Sequence, residues 1–269
     1  MADKVVLVTG ASSGIGKTVA ERLAGSGWRV FGAQRRAPAA SAPGVEMVAM
    51  DVTDEASVEG AVATIHARAG RIDAVVNNAG NAIMGAIEDT SIEEAQAQLD
   101  TNFFGVLRVC RAVLPRMRAQ GGGHIVNVSS LAGVIGLPFS GLYSASKFAL
   151  EGMTESLRHE SRPFGIRVVL VEPGDFRSDL AATRRIASGA AANPAYREAF
   201  ARFRAQQEKD EAGAPTPEPV ARLVERILAD PNPRLRYSAG MLGQRVVIPA
   251  KRWLPQRLFE WTLIRVLGS

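Results

Sequence analysis

Tyr143 and Lys147 stand four residues apart in the run Tyr143-Ser144-Ala145-Ser146-Lys147. On a helix this spacing puts both side chains on one face, within reach of one bound molecule. A free phenol ionises near pH ~10, and a neighbouring ammonium lowers that by roughly 1–3 units. The pair could therefore give and take a proton. The same spacing also describes an ordinary solvent-exposed i,i+4 contact, so its meaning depends on what else the chain places nearby.

Other polar or glycine-containing steps end apolar runs: Asn77-Asn78-Ala79-Gly80, Ser129-Ser130 and Pro173-Gly174, with Asn102 inside a helical stretch. Taken singly, Asn102 could bond locally and Ser130 could cap a strand end. Thr9-Gly10-Ala11-Ser12-Ser13-Gly14-Ile15-Gly16 follows the first strand-like run and opens a helix. That is where a dinucleotide pyrophosphate needs close backbone approach and a positive helix end. The Gly-x-x-x-Gly-x-Gly spacing differs from G-x-G-x-x-G, and Gly16-Lys17-Thr18 nearly completes a nucleoside-triphosphate P-loop. A P-loop enzyme needs a carboxylate ending a later strand to hold magnesium, whereas Ala74-Val75-Val76 runs into Asn77-Asn78. His66, His124 and His159 share no ligand-like spacing, so they read as structural and no metal site is expected.

The elements that must position these residues alternate. Strand-like runs at Val5–Thr9, Arg29–Ala33, Glu46–Met50, Ala74–Asn77, His124–Ser129 and Arg167–Glu172 are separated by amphipathic stretches at Gly16–Ala24, Ala56–Ala69, Ser91–Gln120 and Ser144–Glu160. The rhythm predicts an α/β fold: a Rossmann-type, doubly wound parallel sheet with helices on both faces. Ser91 and Glu94 form a plausible capping box. Residues 1–269 read as a single dinucleotide-binding domain. Residues 178–219 break the rhythm and read as a substrate-lid insertion, and residues 246–269 form a basic, apolar C-terminal segment.

Apolar residues make up 46% of the chain, enough to bury a sheet on both faces. Cys110 has no partner for a disulfide within the chain, which suits a reducing compartment and, without an export signal at Met1–Val8, a cytoplasmic location. No apolar window is long enough to span a bilayer. The net charge of +5 gathers near the C-terminus, where Arg245, Lys251, Arg252, Arg257 and Arg265 face Glu260 alone. It matches no nucleic-acid motif, so no nucleic-acid partner is expected.

Taken together, the order of these motifs resembles the short-chain dehydrogenase/reductase family over residues 5 to about 180, in its hydroxysteroid- and retinol-dehydrogenase branch. The resemblance implies that Tyr143 is the general acid for reduction and base for oxidation. It makes Lys147 the residue that binds the nicotinamide ribose and depresses the tyrosine pKa, Ser130 the holder of the substrate oxygen, with Ser129 a weaker candidate, and Asn102 the holder of a relay water. It implies cofactor contacts from Gly10, Ser12, Ser13, Gly14, Ile15, Gly16, Asp51, Val52, Asn78, Ala79, Gly80, Tyr143, Lys147, Pro173, Gly174, Phe176 and Ser178, the last standing where the family usually has threonine. A homodimer or homotetramer follows from the same likeness. A catalytically idle regulatory protein on this fold is the alternative, and the intact Asn102, Ser130, Tyr143 and Lys147 set argues against it.

Gln34 ends the second strand where an NAD enzyme usually offers an acid. Arg35 and Arg36 follow it and could pair with a 2′-phosphate, so NADP(H) is the expected cofactor and NAD(H) the alternative. Tyr196, Phe200 and Phe203 fall at i, i+4 and i+7 and predict an apolar stripe that either caps a pocket or packs on the chain's own core. Val134–Phe139 would supply a second wall, giving a bulky, apolar carbonyl or alcohol as substrate. For the C-terminal segment, contact within the protein or its oligomer is favoured over an anionic membrane surface. Pro249 and Pro255 are expected to confine its helix to about the final dozen residues.

Overall fold

The computed structural model describes residues 4–36, 42–177 and 184–267. The strands are β1 (Val5–Thr9), β2 (Arg29–Gln34), β3 (Val45–Ala49), β4 (Ala74–Asn77), β5 (Ile83–Met84), β6 (Gly123–Val128), β7 (Ile166–Pro173), β8 (Arg185–Ile186) and β9 (Arg236–Ala239). The helices are α1 (Gly14–Gly25), α2 (Glu55–Ala69), α3 (Ile92–Leu99), α4 (Gly105–Ala119), α5 (Gly141–Ser161), α6 (Arg197–Gly213), α7 (Glu218–Ala229), α8 (Leu242–Trp253) and α9 (Gln256–Leu267).

Among the described residues, seven strands form one parallel sheet in the order β3-β2-β1-β4-β6-β7-β9. The order reverses between β1 and β4, and in such sheets ligands bind beyond the carboxyl ends of the strands at that switch point. Alternation within each strand loads both faces. Val5, Leu7, Phe31, Val75, Ile125 and Val168 pack with Val62 and Ile65 of α2, Val109 and Val113 of α4 and Leu150 of α5. Val6, Val8, Val30, Val76, Val126 and Val169 pack with Val19 and Leu23 of α1 and Val224 and Ile227 of α7. Burial on both faces explains why these strands read as continuous apolar runs.

Each of the six expected strands is present, with ends shifted by one residue in several. β9 escaped the sequence reading because four residues after a proline-rich turn carry little pattern. The stretch Ser91–Gln120 is not one helix: five residues, Asp100–Phe104, form a π-helical turn between α3 and α4. The Ser91/Glu94 capping box is present. The expected insertion ends before residue 219, because Glu218 already belongs to α7 and pairs with Arg22 of α1 at 2.5 Å. Pro249 does not stop the C-terminal helix but lies inside α8. Its fixed φ is helical, and one lost N–H bond is tolerated where Gln244 and Lys251 dock the segment on the chain. The last helix, α9, begins just after Pro255 and runs for 12 residues to Leu267, close to the length expected. Among the described residues no helix is long and apolar enough to cross a membrane.

Candidate active site

The turn after β1 is shaped by its glycines. Gly10 has φ +66° and Gly14 φ +51°, a region that side chains with a Cβ rarely adopt. A Cβ on Gly16 would lie 2.2 Å from the Gly10 carbonyl oxygen, so only glycine lets α1 start this close to the strand. The end of β4 buttresses the turn: Asn78 Nδ2 donates to the Thr9 carbonyl at 3.1 Å, while the Asn78 and Ala79 amides both donate to Thr9 Oγ1 at 3.0 Å. Ser13 precedes α1 without capping it, and no acid lies in the first turn. The amides of that turn thus offer a positive end to an anion. Ser12 is exposed and Ile15 is half-buried on the core. This cradle fits a dinucleotide pyrophosphate. Lys17, by contrast, lies on the outer face of α1 beside Glu21 at 3.9 Å.

Next to the turn, Gly10 and Ala11 donate to the Ala33 carbonyl at 2.9 and 3.2 Å, which brings the end of β2 alongside. Gln34 donates its amide to the Arg36 carbonyl, and Arg35 and Arg36 are exposed there. Asp51, after β3, accepts from Thr53 N at 3.0 Å and Thr53 Oγ1 at 2.7 Å. That backbone bond, aided by Arg35 and Arg108, holds its carboxyl below the usual range. Val52 abuts Gly105 at the start of α4, and its carbonyl accepts from Arg108 at 3.1 Å.

Tyr143 and Lys147 lie one turn apart on α5, with Lys147 Nζ 5.9 Å from the tyrosine ring centre. Lys147 is buried and donates to the Val128 carbonyl at 2.9 Å. Burial draws its ammonium down to about 8, with Glu151 opposing. Burial pushes the Tyr143 phenol above its ordinary value. The facing Ser130 hydroxyl and the Arg184 guanidinium act against that rise, and Asp175 adds to it. Ser130 also accepts from Ala132 N at 3.1 Å. Its neighbour Ser129 turns the other way, into the core against Gly133 and Glu151.

Asn102 is fully buried in the π-helical turn. Its Nδ2 donates to the Asn81 carbonyl at 3.0 Å and to Ser146 Oγ at 3.1 Å, and its Oδ1 accepts from Asn81 N at 2.9 Å. That side chain ties the loop after Gly80 to the helix bearing Tyr143 and Lys147. Across the sheet, Gly174 follows the buried Pro173, and its amide donates to the Ala239 carbonyl at 2.7 Å. Phe176 is buried among the residues of the second core face. Ser178 lies outside the described residues. The geometry therefore gathers Gly10–Gly16, Asn78–Gly80, Ser130, Tyr143, Lys147 and Gly174 around the carboxyl ends of β1, β4, β6 and β7.

A sequence profile described as short chain dehydrogenase matches residues 4–188. The chain belongs to the short-chain dehydrogenase/reductase family. It is an oxidoreductase of CH–OH and C=O groups, in a family that uses nicotinamide dinucleotides. It is 41% identical to a 3-ketodihydrosphingosine reductase of Bacteroides thetaiotaomicron over 263 residues, covering 98% of this chain and 97% of the relative. It is 39% identical to human 17-beta-hydroxysteroid dehydrogenase type 1 over 189 residues, covering 65% and 57%. Among solved structures it resembles a Burkholderia phymatum short-chain dehydrogenase/reductase in complex with NAD, with TM-score 0.79 at 28% identity, covering 97% of this chain and 95% of that one.

Sequence reasoning about this short-chain dehydrogenase missed several residues that hold its site. Gln98 is fully buried, accepts from Ile83 N at 2.8 Å and donates to the Asn81 carbonyl at 2.9 Å. Asn77 donates to Asn127 Oδ1 at 2.9 Å, and Asn127 donates to Thr154 Oγ1 at 2.9 Å, a buried polar chain from β4 to α5. Gln244 of α8 brackets Asp175, accepting from its amide at 3.2 Å and donating to Oδ2 at 2.6 Å. Polar residues at buried positions of an apolar period were the available signal for Gln98 and Asn127. Gln244 gave none.

Proposed function

We propose that this short-chain dehydrogenase/reductase is an NADP(H)-dependent enzyme that interconverts a carbonyl and a secondary or primary alcohol on a bulky, largely apolar substrate. The observation that carries the reading is the convergence of Ser130, Tyr143 and Lys147 beside the glycine cradle. When bound, the nicotinamide supplies or accepts the hydride. Gly10, Ser12, Ser13, Gly14, Ile15 and Gly16 would hold the pyrophosphate, and Asp51, Val52, Asn78, Ala79 and Gly80 the adenosine half. Pro173, Gly174 and Phe176 would line the nicotinamide. Tyr143 gives its proton to the oxygen that develops charge on reduction and takes it back on oxidation, while Ser130 donates to the same oxygen. Lys147 holds the ribose and keeps a cation near the phenol. Asn102 supports this proton path through position, its side chain being committed to Asn81 and Ser146.

Arg35 and Arg36, exposed beside the cradle, favour a 2′-phosphate. The apolar substrate is supported by Phe139, whose ring lies 6.2 Å from Tyr196, 5.4 Å from Phe200 and 5.5 Å from Phe203. The aromatic stripe of α6 and the turn before it thus packs against the end of the Val134–Phe139 run. The segment that leads into α6 is tied to the rest of the chain by Ser188, whose amide donates to Glu94 at 3.0 Å, and by Asn193, which donates to Asp89 at 2.7 Å. The name of the Bacteroides relative fits such a substrate. The test is reduction of 3-ketodihydrosphingosine and of steroid ketones, followed by loss of reduced-nicotinamide absorbance. Turnover confined to small polar carbonyls such as sugars would reject the apolar reading.

A further inference from the structure

One helical turn beyond Lys147, where α5 meets β7 and the edge strand β9, the fold buries an unusual group of charges. Glu151 lies one turn after Lys147 on α5, and Glu172 lies at the end of β7; both are buried. Arg236, at the start of β9, reaches between them. Its Nε is 3.0 Å from Glu151 Oε2 and 3.3 Å from Glu172 Oε1, and its Nη2 pairs with Glu155 at the rim. The β7–β9 register, Leu170 opposite Arg236 and Glu172 opposite Ser238, fixes this meeting. Two buried carboxyls share one guanidinium, and Ser129 Oγ faces the Glu151 carboxyl from the end of β6.

Such a cluster is costly unless its charges are matched. Two carboxylates on one cation cannot both ionise as readily as one can. Glu172 takes the larger perturbation, its carboxyl being pushed up to about 7 by burial and then by Glu151, with Arg236 opposing. Glu151 is raised by burial and by Glu155, and is held down by Ser129 and Arg236. The charged residue that acts on Lys147 is Glu151, which works against the desolvation of the ammonium.

We propose that Glu151 is a positioning residue that keeps the Lys147 ammonium charged, and that Arg236, which it shares with Glu172, keeps Glu151 ionised for that task. The inference rests on the reading of Lys147 as part of the site, yet its test does not depend on turnover. Lys4, Lys17, Lys147, Lys209 and Lys251 are the chain's lysines, so a protein labelled with carbon-13 at lysine Cε gives a readable spectrum, with Lys147→Arg assigning the signal. Its midpoint should lie near 8 in the wild type. Glu151→Gln should lower it by about one pH unit, the scale of one lost close charge. Arg236→Met should lower it in the same direction, and Glu151→Asp should return it toward the wild-type value. Midpoints unchanged in both Glu151→Gln and Arg236→Met would overturn the proposal. Should Glu151→Gln fail to fold, Arg236→Met and Glu151→Asp decide by the same readout. Full activity in Tyr143→Phe would reject the mechanism and leave this titration standing.

Discussion

The ring of Phe139 lies 5.4 Å from that of Phe200, and this contact joins the loop that enters the Tyr143 helix to α6. Phe139 adopts φ +52°, a left-handed conformation that is uncommon for any residue with a bulky side chain. The backbone accepts that cost, and the ring is aimed at all three aromatic residues of the expected stripe.

Replacing Phe139 with alanine removes these aromatic contacts, each worth roughly 0.5–1.5 kcal/mol beyond area burial. KM for an apolar ketone should rise about tenfold with kcat nearly kept, as expected for lost uniform binding. A small carbonyl substrate should show no such change. An equal loss for both substrates would mean that Phe139 serves folding rather than substrate contact.

Tyr143→Phe keeps the ring that packs beside Lys147 and removes the ionisable oxygen. General acid–base catalysis is worth roughly 10²–10⁴-fold, so kcat should fall by about that factor. Binding of the dinucleotide, read by calorimetry, should be retained.

Arg35 stands beside the cradle and contributes to the low pKa of Asp51. A charge-assisted contact is worth roughly 1.5–3 kcal/mol. Arg35→Ala should therefore cut kcat/KM for NADPH by about ten- to a hundredfold and leave NADH nearly unchanged. A wild-type preference for NADH, untouched by the substitution, would reject the assignment of NADP(H).

Glu172 gives stability a particular pH dependence. Its native carboxyl titrates near 7, against about 4.3 when unfolded. Between those values the native state holds the extra proton, so this residue's contribution falls as pH rises through the window. Lys147, lowered to about 8 from about 10.4 unfolded, contributes stability that grows as pH rises between its two values. Glu172→Gln should match the wild type in urea unfolding at pH ~4 and exceed it by on the order of 2 kcal/mol at pH ~8. The same offset at both pH values would show that packing, not ionisation, governs the site.

How far the sequence speaks depends on how local each feature is. β1, the glycine turn and α1 are legible because strand period, glycine placement and helix period follow one another within Val5–Gly25. Tyr143 and Lys147 are legible because one helical turn sets their relation. Arg236 is not, because its meaning comes from Glu151 and Glu172, which are far from it in sequence and meet it only through the order of β7 and β9. The Glu94 carboxylate was read as a helix cap and is one, yet it also receives the Ser188 amide. A local motif satisfies its own pattern and gives no hint of a second partner.

The π-helical turn at Asp100–Phe104 sets the phase of everything before it. An α-helix advances about 100° per residue, and π-turns insert one residue into that progression. The faces of α3 and α4 are therefore offset by one step. With that offset, Gln98 meets Ile83 and Asn81 on one side while Val106 and Val109 meet the sheet on the other. Chain length in this turn thus acts as a gear tooth between the loop that carries Asn78–Gly80 and the core. A change of residue there alters one contact, but a change of residue count rotates a whole helix out of mesh.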